Sequence, residues 1–148
     1  MAEAALRVLL EKERPGKFKV ISAGITAPTG FPATKFAAEA VKLWDGTLRD
    51  HSSQPMTRAL AETVDLIIGM SPEHVREILR LSPAAVEKTY LLKNFPQSGT
   101  EGEGVDDPIG LSPDRYNQTF LEIGEVLGEH LPEFIRRIDL HGATHAVR

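Results

Sequence analysis

Asp106 and Asp107 stand side by side in the run Val105-Asp106-Asp107-Pro108-Ile109-Gly110. Adjacent carboxylates repel when both are ionised, which raises one pKa and suits that group to act as a general acid. Pro108 fixes the backbone directly after them. On local sequence alone, an ordinary surface Asp-Pro turn is the plainer account of the same residues. Ser22 closes an apolar segment, and His51 lies in the polar run Asp50-His51-Ser52-Ser53. Taken singly, a serine there is a backbone cap and a histidine there is a surface residue. Of His51, His74, His130, His141 and His145, only the last two stand four apart, and they lie near the C-terminus, so no metal site is expected. The absence of cysteine removes disulfides, thiolate metal sites and cysteine nucleophiles from these 148 residues. Neither the stretch 22–26 nor 26–30 matches a nucleophile elbow or a phosphate-cradling loop.

Hydrophobic periodicity supplies the elements that carry these groups. The chain begins directly with an amphipathic helix: Leu6, Leu9 and Leu10 share a face, with Glu3, Arg7, Glu11 and Lys12 around the rest. Residues 18–22 are predicted as a strand, followed by a Pro/Gly-rich loop. A helix with Phe36, Ala40 and Leu43 inside ends before Asp45-Gly46. Thr57 is positioned to cap a short helix reaching Ala61. The apolar run 65–70 reads as a strand buried on both faces, and a histidine follows it at His74. Ser71 and Pro72 begin the next helix as N-cap and first residue, with Val75, Ile78 and Leu79 inward. Residues 87–92 read as a further strand, then an acidic, glycine-rich loop. A last helix from Pro113 to Arg137 presents Tyr116, Phe120, Ile123, Leu127, Leu131 and Phe134, and Pro132 is expected to kink it. Residues 1–138 then form one domain and 139–148 a mobile tail.

This alternation predicts an α/β fold: a three-layer sandwich with a parallel sheet and helices on both faces. Ligands in such sheets sit beyond the carboxyl ends of the strands, where Ser22 and Ser71 fall. A formal charge of −4 argues against a nucleic-acid or membrane-surface partner. No run approaches the roughly 20 apolar residues of a membrane span and no signal peptide is visible, so a cytoplasmic location is expected.

The order of these segments resembles the low-molecular-weight protein tyrosine phosphatases, and more nearly their bacterial relatives acting on phosphoarginine. The residues that carry the likeness are MAEA with Leu6-Arg7, ISAG, HSSQPMT, DLIIGM with its following His, and DDPIG with Tyr116. The resemblance runs from Met1 to about Arg137. It implies that Asp107, immediately before Pro108, is the general acid, with Asp106 as its acidic neighbour. It also implies that Ser22 and His51 support the phosphate loop. Ile109 stands where tyrosine-specific members often place an aromatic ring, which makes it a wall of the substrate cleft and puts tyrosine specificity in question. The implied substrate is a phosphorylated protein, and the reaction requires neither metal nor organic cofactor. The arsenate-reducing branch needs mid-chain cysteines and is disfavoured.

In that family a strand and a C-x-x-x-x-x-R-S/T loop directly precede a segment like MAEAALR. The loop supplies the cysteine nucleophile, backbone N–H groups for the phosphate and a bidentate arginine, at the N-terminus of the first helix. The expectation is therefore a phosphatase fold whose first strand and catalytic loop are missing from this chain, inactive as it stands. The alternatives are a non-catalytic pseudo-phosphatase that binds a partner or anion, and a truncated reading frame.

Overall fold

The computed structural model of the chain describes residues 1–146, with side chains described through residue 142. Its helices are α1 (Ala2–Glu13), α2 (Lys35–Ala40), α3 (Arg58–Thr63), α4 (Pro72–Leu81) and α5 (Pro113–Ala146). Short 3₁₀ turns cover Val41–Trp44, Pro83–Lys88 and Leu92–Asn94. The strands are β1 (Ile67–Gly69) and β2 (Thr89–Leu91), paired in parallel with Ile68 opposite Tyr90. Contacts divide the chain into two compact units, one of residues 1–55 with 106–128 and one of 56–105 with 129–148.

In the first unit, α1 buries Ala4, Ala5 and Leu10, whereas Leu6 and Leu9 are only half-buried. Alanines take the inner face because the turn after α2 comes close: a Cβ added at Gly46 would stand 3.7 Å from the Ala4 Cβ. Thr34 caps α2 by accepting the Ala37 N–H at 3.3 Å. Asp45 stops the turn that follows α2 in the left-handed region, φ 56°, as the Asp-Gly pair predicts. Phe120 of α5 is fully buried and meets the Trp44 ring edge-on at 5.4 Å.

Trp44 also lies over Gly124, where an added Cβ would fall 2.3 Å from Cη2 and 2.6 Å from Cζ2. In an open helix Gly→Ala gains about 1 kcal/mol. Here three rigid ring atoms obstruct the methyl group, and overpacking costs about 1–3 kcal/mol. Gly124→Ala is therefore expected to destabilise the protein, read from urea unfolding followed by the fluorescence of Trp44, the sole tryptophan.

In the second unit, Thr57 caps α3 through the Leu60 N–H at 3.1 Å, as expected. The Lys88 ammonium donates to the carbonyls of Glu62 (3.1 Å) and Val64 (2.6 Å), satisfying the end of that helix. Burial pushes its pKa down, although the Asp65 and Glu62 charges oppose the shift. Tyr90, Phe95, His130 and Phe134 form an aromatic cluster, with Phe95 and Phe134 centred 4.5 Å apart. The Arg137 guanidinium lies 4.8 Å from the centre of the Tyr90 ring and 5.1 Å from that of Phe95, and donates to the Tyr90 hydroxyl.

Three expectations differ from the observed backbone. Residues 18–22 belong to no ladder, because a strand is held by the N–H and C=O groups of a neighbour. The pairing nearest to them is the isolated parallel bridge between Gly24 and Pro55. The runs 65–70 and 87–92 contribute only three residues each to the sheet, the second being flanked by 3₁₀ turns. The last helix continues past Arg137 to Ala146, through Pro132. Residues 139–146 of the expected tail are thus helical in backbone, and 147–148 lie outside the described residues.

Candidate active site

Glu3, in the first turn of α1, is the centre of the polar cluster. Its carboxylate accepts hydrogen bonds from the Ser22 hydroxyl and from the Arg7 guanidinium one turn on. His51 Nδ1 lies 3.5 Å from the oxygen that Ser22 engages. Arg7 also reaches the Val20 carbonyl at 3.4 Å. Gln54 donates to the Ser22 carbonyl at 3.0 Å, and the Gly24 N–H donates to the Gln54 carbonyl at 2.9 Å. The segment carrying Ser22 is therefore tied to the loop carrying His51 at two points, without belonging to a sheet.

Burial alone would push the Glu3 carboxyl up. The bonds from Ser22 and Arg7, with the charges of Arg7 and His51, outweigh it and hold the group below its usual range. A carboxyl depressed by folding adds stability above its unfolded pKa, about 4.3, and loses it as pH falls through the lower folded value. Glu3→Gln removes this dependence. The stability gap between wild type and Glu3→Gln should be largest near neutrality and narrow below about pH 4.3, read from urea midpoints at successive pH values. A gap that stays constant on acidification would show that the cluster carries no net charge-dependent stabilisation.

Asp107 occupies a separate feature of the same unit. Its Oδ1 accepts the Ile109 N–H at 3.0 Å, closing an Asx turn. The Leu111 N–H donates to the Pro108 carbonyl at 2.9 Å, and Gly110 sits at φ 77°, the conformation a type II turn requires at that place. Pro108 is buried while Asp106 and Asp107 are exposed, and Ile109 is 68% exposed. Ser22 and His51 thus meet on Glu3, whereas Asp107 shares no hydrogen bond or ion pair with them among the described residues.

The sequence places Glu3 on the polar face of α1 but does not reveal it as the link. An acidic residue in a first turn is ordinarily explained by the helix dipole, so nothing local marks it. Ser53, which the sequence marks only as part of a polar loop, is a second such link. It accepts the Phe31 N–H at 3.0 Å, donates through its hydroxyl to Pro28 at 2.6 Å, and exchanges backbone bonds with Gly30 and Phe31, both at 2.8 Å. This pins the Pro/Gly loop and leaves Phe31 59% exposed.

Comparison with known proteins bears on this arrangement. Residues 1–140 match the model of the low molecular weight phosphotyrosine protein phosphatases. A protein-arginine-phosphatase of Bacillus subtilis (strain 168) is 35% identical over 127 residues, covering 86% of this chain and 82% of that protein. A probable low molecular weight protein-tyrosine-phosphatase, EpsP of Ralstonia solanacearum, is 34% identical and covers 73% of this chain and 68% of its own length. The crystal structure of a YwlE mutant from Bacillus subtilis matches with TM-score 0.80 and 32% identity, covering 90% of this chain and 87% of that one. A low molecular weight protein tyrosine phosphatase from T. tengcongensis matches with TM-score 0.78 and 26% identity, covering 89% and 88%. No described helix is long and apolar enough to cross a membrane. The likeness holds in sequence and in backbone over nearly the whole chain, and it spans the cluster on Glu3 and the Asp-Pro turn alike: the chain belongs to the low molecular weight phosphotyrosine protein phosphatase family.

Proposed function

We propose that this chain is the body of a protein phosphatase acting on phosphoarginine or phosphotyrosine side chains, with Asp107 as general acid. The observation that carries the reading is the Asx turn. The Ile109 N–H occupies Oδ1 at 3.0 Å, so the proton of a neutral Asp107 sits on the other, free oxygen. As a nucleophile bonds to phosphorus, the P–N or P–O bond breaks and the departing nitrogen or oxygen takes that proton. Asp106 is an acidic neighbour with no part in the turn. Ser22 and His51, joined through Glu3, support the phosphate end of the site at the first turn of α1, where the helix dipole favours an anion. Ile109 lines the substrate cleft; a branched aliphatic side chain suits the methylene stem of arginine better than the flat face of a phenyl ring.

These residues contain no cysteine, so a thiolate nucleophile reaches the site only from a segment outside them. The test compares the 148-residue chain with one carrying a strand and a C-x-x-x-x-x-R-S/T loop ahead of Met1, on phosphoarginine and phosphotyrosine peptides. Turnover confined to the extended form, with phosphoarginine preferred, is expected. Robust turnover by the short form, insensitive to Asp107→Ala, would overturn the assignment; tight phosphopeptide binding with no turnover by either form would favour a binding module.

A further inference from the structure

His74 follows the apolar run 65–70, and the site above makes no use of it. Ser71 caps α4 and Pro72 opens it, so His74 is the third helical residue. The His74 N–H donates to the Ser71 hydroxyl at 3.4 Å, while the Met70 N–H donates to His74 Nδ1 at 3.3 Å. This follows the reciprocal logic of a capping box, in which the third helical side chain reaches back to a backbone N–H. Here an imidazole does so, and its partner is the residue before the cap. An acceptor Nδ1 leaves the proton of the neutral ring on Nε2.

The carbonyl of the same Met70 accepts the Val105 N–H at 2.7 Å. A Cβ added at Gly104 would stand 3.1 Å from that oxygen and 3.2 Å from the Ser71 Cα. The 104–105 backbone therefore lies hard against the end of β1 and is bonded to it. Met70 is held through its N–H by His74 and through its carbonyl by Val105, two residues ahead of Asp107.

The geometry points to His74 as a positioning residue for the stem of the acid turn: by fixing Met70, its Nδ1 fixes the 104–105 backbone, to which Asp106-Asp107-Pro108 is joined. The consequence for catalysis rests on Asp107 being the acid. Asparagine presents its Oδ1 where histidine presents Nδ1, whereas glutamine places its oxygen one bond farther out. Phenylalanine keeps the ring and removes the acceptor.

The experiment is amide hydrogen exchange by NMR on the full 148-residue chain. His74→Phe and His74→Gln are expected to speed exchange at Met70 and Val105 by about tenfold, the scale of one net hydrogen bond. His74→Asn should restore protection, and the amides of Phe120 and Phe134 should be unmoved in all three variants. Unchanged exchange at Val105 in His74→Phe overturns the inference. So does equal behaviour of the asparagine and glutamine variants. Uniformly faster exchange, including at Phe120 and Phe134, also overturns it by showing a general loss of stability. If Asp107→Asn, made in a chain extended by a strand and cysteine loop ahead of Met1, leaves turnover unchanged while these exchange results hold, the acid assignment fails and the positioning of the loop stands. If Asp107→Asn behaves as an acid variant while Val105 ignores His74, the failure lies with His74.

Discussion

Asp107→Asn, in a chain extended by a strand and a cysteine loop ahead of Met1, is expected to slow hydrolysis of substrates with poor leaving groups by about 10²–10⁴-fold, the usual worth of general acid catalysis. The amide keeps an oxygen for the Ile109 N–H, so the turn survives and only the transferable proton is lost. Leaving groups that depart readily as anions need little protonation and should be slowed far less. A series of aryl phosphates graded by leaving-group pKa checks this: the slope of log rate against pKa should steepen in the variant. Asp106→Asn should cost less, because Asp106 is exposed and takes no part in the turn. If Asp106→Asn is the more damaging change, the roles within the pair are reversed.

The larger effect concerns the nucleophile. The 148-residue chain should show no turnover by a thiolate mechanism, and joining a strand and cysteine loop ahead of Met1 should confer it. In a serine hydrolase, loss of the nucleophile alone costs about 10⁶-fold in kcat, which sets the scale. The same addition should raise stability. Residues 18–22 belong to no ladder, and a strand laid beside them would pair N–H and C=O groups other than the Val20 and Ser22 carbonyls, which Arg7 and Gln54 already engage, each new bond worth about 0.5–1.5 kcal/mol. Thermal unfolding and phosphatase assays on the two forms, run side by side, check both parts. An added segment that restores activity without raising the unfolding midpoint would show that it docks elsewhere than beside residues 18–22.

What the sequence determined by itself was chemistry confined to a few neighbouring residues. The caps at Thr57 and Ser71 and the stop at Asp45-Gly46 each depend on bonds spanning three or four residues, and all three form as the sequence predicts. The Asp107 turn is equally local, since Oδ1 reaches an N–H only two residues on. The order of segments sufficed for the α/β class and for the family. Tertiary structure decided what depends on distant partners. Residues 18–22 have the composition of a strand, but a strand exists only where another backbone pairs with it. The inner face of α1 is set by how closely the turn at Val41–Trp44 approaches, which is why Ala4 and Ala5 are more deeply buried than Leu6 and Leu9. Glu3 shows the limit most plainly. Its hydrogen bond to Arg7 follows from helical spacing, but Ser22 and His51 lie 19 and 48 residues away along the chain. No periodicity encodes such a meeting; only the packing of the loops against α1 brings one carboxylate within reach of both.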